Sequence, residues 1–239
     1  LDELQTLDQA KNQFMVLVNH ELKTPLTTML SFTDLLAETK LDLDQQRYLS
    51  RVKTAALRLQ DMINDSLELV SAETQQTKLD LRSISSKATI NDSLVTEQIQ
   101  KILNDRNVTL DFQVENQKFF ADEKILRNIM RRLLHNAAKF ADQDSVVRVQ
   151  AESQGNGMLR VAIENQTANG AKLDTNKIQA LLKPFTLNEN TLNHSVGTGL
   201  GLSICNALLK LHHSKLEIEP RNKSVLASFL LGRDQDAGS

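Results

Sequence analysis

The sequence predicts two domains, an all-α helical hairpin followed by an α+β sandwich. Three observations carry that expectation. Apolar residues recur at 3-4 spacing as far as about residue 73. The period changes after the polar stretch Ser71–Lys78. The remainder of the chain mixes alternating segments with helical ones, without the strict βαβ rhythm of a parallel sheet.

Residues 1 to about 38 read as one helix, with Phe14, Leu17, Val18, Leu22, Leu26 and Met29 on a single apolar stripe. The polar stretch Glu38–Asp42 interrupts it, and Asp42 or Asp44 is available as the cap of a second helix running to about residue 73. In that helix Leu49, Val52, Ala56, Leu59, Ile63 and Val70 form the seam of a bundle. One hairpin leaves its apolar stripe open, so pairing two copies into a dimeric four-helix bundle is the natural solution. Beyond it, alternation marks strands at 78–84, 108–115, 118–121, 146–152, 159–165, 215–219 and 225–230. Helical patterns mark 85–104, 122–140, 174–182 and 198–211. The implied boundaries are 1–75 for the hairpin and 76–232 for the sandwich, with 233–239 as a polar tail.

Composition narrows the function classes. The 28 basic and 30 acidic residues nearly cancel, and with no basic cluster and no Trp the chain lacks a nucleic-acid surface. The single cysteine, Cys205, excludes an intrachain disulfide framework and suits the cytoplasm. No apolar run reaches the ~20 residues that span a bilayer. The chain opens at Leu1 already inside a helical pattern, so it is read as a fragment whose sensory or membrane-anchoring region lies upstream.

Chemistry concentrates at three places. Within the first helix, His20 lies roughly opposite the apolar stripe at about 100° per residue, where it has no core to fill. Glu21 is beside it, Thr24 is one turn on, and Pro25 removes a helical hydrogen bond close by. A lone helical histidine is ordinarily just a surface residue; these fixed offsets argue for more. The second place is Gly197-Thr198-Gly199-Leu200-Gly201, ahead of the helical pattern 203–211. Three of only 8 glycines alternate there, as a backbone approaching phosphates at a helix start requires. No Lys-Ser/Thr pair follows the last glycine, so this is not a Walker loop. Third, Asn136 and Lys139 share one face at the end of a helix. An amide oxygen can ligate Mg²⁺, an ammonium can meet phosphate oxygens, and Phe140 can cover a purine ring.

Together these segments resemble the catalytic core of sensor histidine kinases. His20-Glu21-x-x-Thr24-Pro25-Leu26 is similar to the phospho-accepting H-box. Asp122, Leu126 and Asn136-Ala-Ala-Lys139 resemble the N-box, Lys183-Pro184-Phe185 the F-box, and Gly197, Gly199 and Gly201 the G2-box of the Bergerat ATP-binding fold. The resemblance implies autophosphorylation of His20 by ATP with Mg²⁺ on Asn136, a mobile lid between Phe185 and Gly197, and transfer to an aspartate of a response-regulator receiver domain. It assigns Glu21 as orienter and general base and Thr24 to phosphatase action. Lys139, Phe140, Asn165, Phe185 and Leu200 join the nucleotide-binding set. Two departures stand out. Arg132 occupies the place of a second N-box asparagine, and the G1 pattern Asp-x-Gly-x-Gly falls on Asn165-Gln166-Thr167-Ala168-Asn169, with slippage to Gly170 open. The Asn amide accepts the adenine amino group without charge assistance, and Thr167 crowds the base. Weak ATP binding is therefore expected. The alternatives are a pseudokinase that serves as response-regulator phosphatase or phosphotransfer partner, and a dimeric coiled coil whose nucleotide-sensing domain gates a partner.

Overall fold

A computed structural model describes residues 2–74, 76–167, 178, 180–183 and 199–232; in the first helix it describes side chains from Leu17 onward, except Asn19 and His20. Contacts divide the chain into two compact units, one built on the segment up to Thr77 and one beginning at Lys78. Among the described residues no helix is long and apolar enough to cross a membrane.

The first unit is a helical hairpin of α1 (Asp2–Ala37) and α2 (Leu43–Glu73). A capping box sets the start of α2. Asp42 accepts from the Gln45 N–H at 2.8 Å, and the Gln45 amide oxygen accepts from the Asp42 N–H at 3.0 Å. Helix α1 runs through Pro25, which has no N–H to offer the Glu21 carbonyl. Leu26, Ala56 and Ile63 form the buried centre of the hairpin, with Leu30 and Leu67 against it.

Within one hairpin the expected bundle seam is covered only in part. Ala56, Ile63 and Val70 turn inward, whereas Val52 and Leu59 stay exposed. The α1 stripe divides in the same way, with Leu26 buried and Met29 60% exposed. Two helices meet along one narrow line, so an apolar stripe wider than that line cannot all be covered within a single hairpin.

In the second unit a five-stranded sheet has the order β2 (Thr109–Val114), β4 (Val146–Ser153), β5 (Leu159–Gln166), β7 (Ser224–Leu231), β6 (Glu217–Arg221). The β2–β4 pair is parallel and the others antiparallel. A separate two-stranded sheet joins β1 (Arg82–Ser85) and β3 (Lys118–Ala121). Helices α5 (Glu123–Phe140) and α6 (Gly201–Leu211) pack on each other, and α5 packs on β5. Leu126, Ile129, Met130 and Leu134 of α5 meet a core that includes Val147, Val149, Val161 and Ile163, all essentially buried. The outward sheet face carries Arg148, Glu164 and Arg221 in a chain of ion pairs.

Three expectations change. The single helix over 85–104 is broken into α3 (Ser86–Thr89), a 3-10 turn (Asp92–Leu94) and α4 (Glu97–Asp105). Asn91 and Thr96 turn their side chains onto the Ser93 and Ile99 N–H groups and so restart the helix each time. The first strand begins only at Arg82, because the Asp80 N–H donates to the Asp122 carboxylate instead of a ladder. Strand β6 continues through Pro220, which an edge strand tolerates. The helix expected at 174–182 falls largely outside the described residues, as does the tail 233–239.

Asp122 caps α5 through the Ile125 N–H, and its own N–H donates to Nε2 of His212 at 3.2 Å. Nδ1 of His212 faces the Leu208 carbonyl, so the neutral Nδ1–H tautomer satisfies both bonds. Burial pushes the His212 pKa down. A depressed folded pKa means this contribution is present above the ordinary histidine value and is lost as pH falls through the lower folded one. Thermal melts should therefore show the second unit losing stability from about pH 7.5 to about pH 5.5, with a shallower slope in His212→Gln. His135 is pushed the same way, first by burial and then by Lys139, so some slope should remain. Equal slopes in both proteins would remove His212 from the account.

Candidate functional site

The last turn of α5 carries Asn136, Lys139 and Phe140. The Lys139 ammonium lies 5.0 Å from the centre of the Phe140 ring, a cation–π contact. Burial lowers the Lys139 pKa, so a nearby anion would favour its charged form. The Arg106 guanidinium donates to the Lys139 carbonyl at 2.6 Å, closing an otherwise open helix end.

The chain leaving α5 is pinned to the end of β5. The Asp142 N–H donates to the Gln166 carbonyl at 2.9 Å, and the Gln166 side-chain oxygen accepts from the Val146 N–H. Asn165 therefore sits at the same end of the unit as Asn136 and Lys139. By strand alternation it shares a face with Leu159, Val161 and Ile163, all buried. Asn165 itself is 8% exposed, its cross-strand neighbours are Val147 and Val225, and its buried Nδ2 has no hydrogen-bond partner among the described residues. Thr167 is buried too, its N–H held by the Lys223 carbonyl.

Helices α5 and α6 run antiparallel in a register that two contacts fix. His212 meets Asp122, and the Cys205 Sγ meets the Ile129 carbonyl at 3.8 Å. Seven residues back along α6 match seven forward along α5, since both rise equally per residue. Continuing that register brings Gly201 level with Leu133, one turn short of Asn136. The start of α6 thus faces the same end of the unit. Gly199 has φ of +71°, the left-handed region that favours glycine. Beside Gly201 nothing lies within 4 Å of where a Cβ would stand. Leu200 is buried.

The donor set fits a nucleotide and Mg²⁺. Among the described residues no group of three or more His, Cys, Asp or Glu could hold a metal. An Asn136 amide oxygen would fill one place on Mg²⁺, and phosphate and water the others, which is how this ion is commonly held. Arg132, in place of a second asparagine, donates to Asn128 at 3.0 Å along the same helix. Lys183 is exposed, while Phe185, Gly197 and the stretch between them lie outside the described residues. In the first unit Glu21 and Thr24 are exposed on α1; the His20 side chain lies outside the described residues. Sequence reading missed Arg106, Gln166 and His212 as positioning residues. Their partners are 20 to 90 residues away, so no local pattern marks them.

Residues 10–75 match the family model described as the His Kinase A (phospho-acceptor) domain. Residues 121–233 match that of the histidine kinase-, DNA gyrase B- and HSP90-like ATPase. An uncharacterized sensor-like histidine kinase of Rhizobium meliloti is 30% identical over 223 residues, which are 90% of this chain and 41% of that protein. The circadian input-output histidine kinase CikA of Synechococcus elongatus is 29% identical over 221 residues, 90% of this chain and 29% of that protein. The chain therefore spans less than half the length of either relative. The crystal structure of full-length ShkA in complex with AMPPNP superposes with a TM-score of 0.76 over 92% of this chain and 45% of that one, at 20% identity, and shows the shared fold.

The two described glycines before and at the start of α6 should respond differently to a methyl group. Gly199→Ala forces a left-handed alanine and should cost about 1–2 kcal/mol in urea unfolding. Gly201→Ala meets no atom and should leave stability within about 0.5 kcal/mol. Equal losses would show that the backbone conformation at Gly199 is not what requires glycine.

Proposed function

Because this chain belongs to the sensor histidine kinases and carries their two-domain catalytic core, we propose that it transfers the γ-phosphoryl group of ATP to His20 and passes it to an aspartate of a response-regulator receiver domain. One observation carries the nucleotide half of this reading. A buried amide with an unmet hydrogen bond, Asn165, lies at the same end of the second unit as Asn136, Lys139 and the start of α6.

Phosphoryl transfer asks the protein mainly for positioning and charge neutralisation. Lys139 and the start of α6 would receive the phosphates, Phe140 would cover the base, and Phe185, Gly197, Gly199, Leu200 and Gly201 would complete the pocket. Asn136 would hold Mg²⁺, which when bound neutralises charge between phosphate oxygens. His20 attacks phosphorus through an unprotonated ring nitrogen while ADP departs. Glu21 accepts the N–H of the other nitrogen and takes the proton released on transfer. Thr24, one turn on, would place water for hydrolysis of the regulator's phosphoaspartate.

Two copies would pair through the hairpin, which leaves Met29, Phe32, Leu35, Val52, Leu59 and Met62 exposed on α1 and α2. Large apolar side chains exposed on two adjacent helices mark an interaction surface. Leu59→Asp would bury an unpaired charge there and should convert a sedimenting dimer of residues 1–75 to monomer or unfolded chain. A parent fragment that sediments as a monomer would contradict the pairing.

A second reading has its own support. Thr167 is a buried side chain where the family carries glycine, and Asn165 lacks the charge of the usual aspartate. Weak ATP binding would leave a phosphatase or phosphotransfer partner acting through His20, Glu21 and Thr24. The two readings part in one assay. With Mg²⁺ and γ-labelled ATP, the kinase reading expects acid-labile, base-stable label that His20→Ala abolishes. Label retained in His20→Ala would sink the assignment of His20, and no label on the parent would favour the second reading.

A further inference from the structure

We propose that the base pocket accepts 6-keto purine nucleotides as readily as adenine nucleotides, with Asn165 as the residue that sets this tolerance. The inference rests on the nucleotide-site reading above and extends it to the class of base.

Asn165 is a polar residue in an otherwise apolar row. Leu159, Val161 and Ile163 precede it on the same face, and the side chains directly across the ladder are Val147 and Val225, which have no hydrogen-bonding atoms. The residue is more than nine-tenths buried and its Nδ2 is left without a partner among the described residues. Buried donors are almost always satisfied, and nothing in the fold calls for an amide here. A ligand acceptor reaching the amide would meet that need.

The chemistry of the amide then decides which bases fit. A carboxylate only accepts, so it suits a 6-amino group and repels a 6-keto oxygen through facing lone pairs. A carboxamide offers a donor and an acceptor side by side. Against adenine, Oδ1 accepts from the 6-amino group and Nδ2 donates to the ring nitrogen N1. Against hypoxanthine or guanine, Nδ2 donates to the 6-keto oxygen and Oδ1 accepts from N1–H. Half a turn about the last side-chain bond exchanges the two arrangements. Each leaves the amide with two bonds and pairs positions 1 and 6 of the base.

The test is equilibrium binding of Mg·ATP, Mg·ITP and Mg·GTP to the whole chain. ITP is the decisive probe because it changes position 6 without adding the 2-amino group of guanine. The parent should bind ITP within about tenfold of ATP, and Asn165→Asp should shift the ratio towards ATP by about tenfold or more. The ratio is read within each protein, so a general loss of affinity in the variant does not confound it. ATP binding with ITP weaker by more than about tenfold would overturn the tolerance while leaving the nucleotide site standing. A ratio that Asn165→Asp leaves unchanged would remove Asn165 as its cause. Failure of all three nucleotides to bind would overturn the nucleotide-site reading itself. GTP weaker than ITP would support the proposal and place steric exclusion at the 2-amino group.

Discussion

The hydrogen bonds gathered at Asp122 set the geometry on which the rest of the second unit depends. Its carboxylate caps α5 through Ile125 and holds the Asp80 N–H, and its backbone N–H reaches His212 at the end of α6. The carboxylate is buried, so these partners replace the water it has lost. Three segments far apart in sequence are thereby fixed against one another. That fixes the level of α6 along α5, and with it the place of Gly201 beside the turn that carries Asn136. A change at Asp122 would move the site without touching any residue in it.

At the other end of α5 the same helix is held by different means. Arg106 takes the Lys139 carbonyl and Asp142 takes the Gln166 carbonyl. The helix is thus fastened at both ends while its apolar face lies in the core. The Asn165 amide stands apart from this framework, its Nδ2 having no hydrogen-bond partner among the described residues. A buried donor without a partner costs roughly 1–3 kcal/mol, a cost that packing elsewhere must offset.

The hairpin solves a different problem. A capping box starts α2 cleanly and a small core of Leu26, Ala56 and Ile63 holds α1 and α2 together. That core is slight beside the apolar surface left outside. The Lys53–Asp34 pair between the helices is exposed at both ends and adds little. A two-helix unit with so small an interior depends on further burial for its stability.

The sequence by itself determined the order and type of nearly every described element, because helical and strand periods are local and strong. It also singled out candidate side chains for chemistry, since the glycine cluster, the Asn136–Lys139 pair and the His20 segment are contiguous motifs. The breaks within 85–104 are hidden from that reading, because Asn91 and Thr96 form caps through short-range bonds that compete with the apolar period. The tertiary structure alone decided three things. It decided which residues of the Leu49–Val70 row are covered within one hairpin and which lie on its outside, since burial depends on where a second helix lies. It brought Asn165 to the end of α5 through the Gln166–Asp142 bond, and it left the Asn165 amide without a partner. Those facts depend on contacts between residues tens of positions apart, and a periodicity read along one stretch of chain carries no information about what packs across from it.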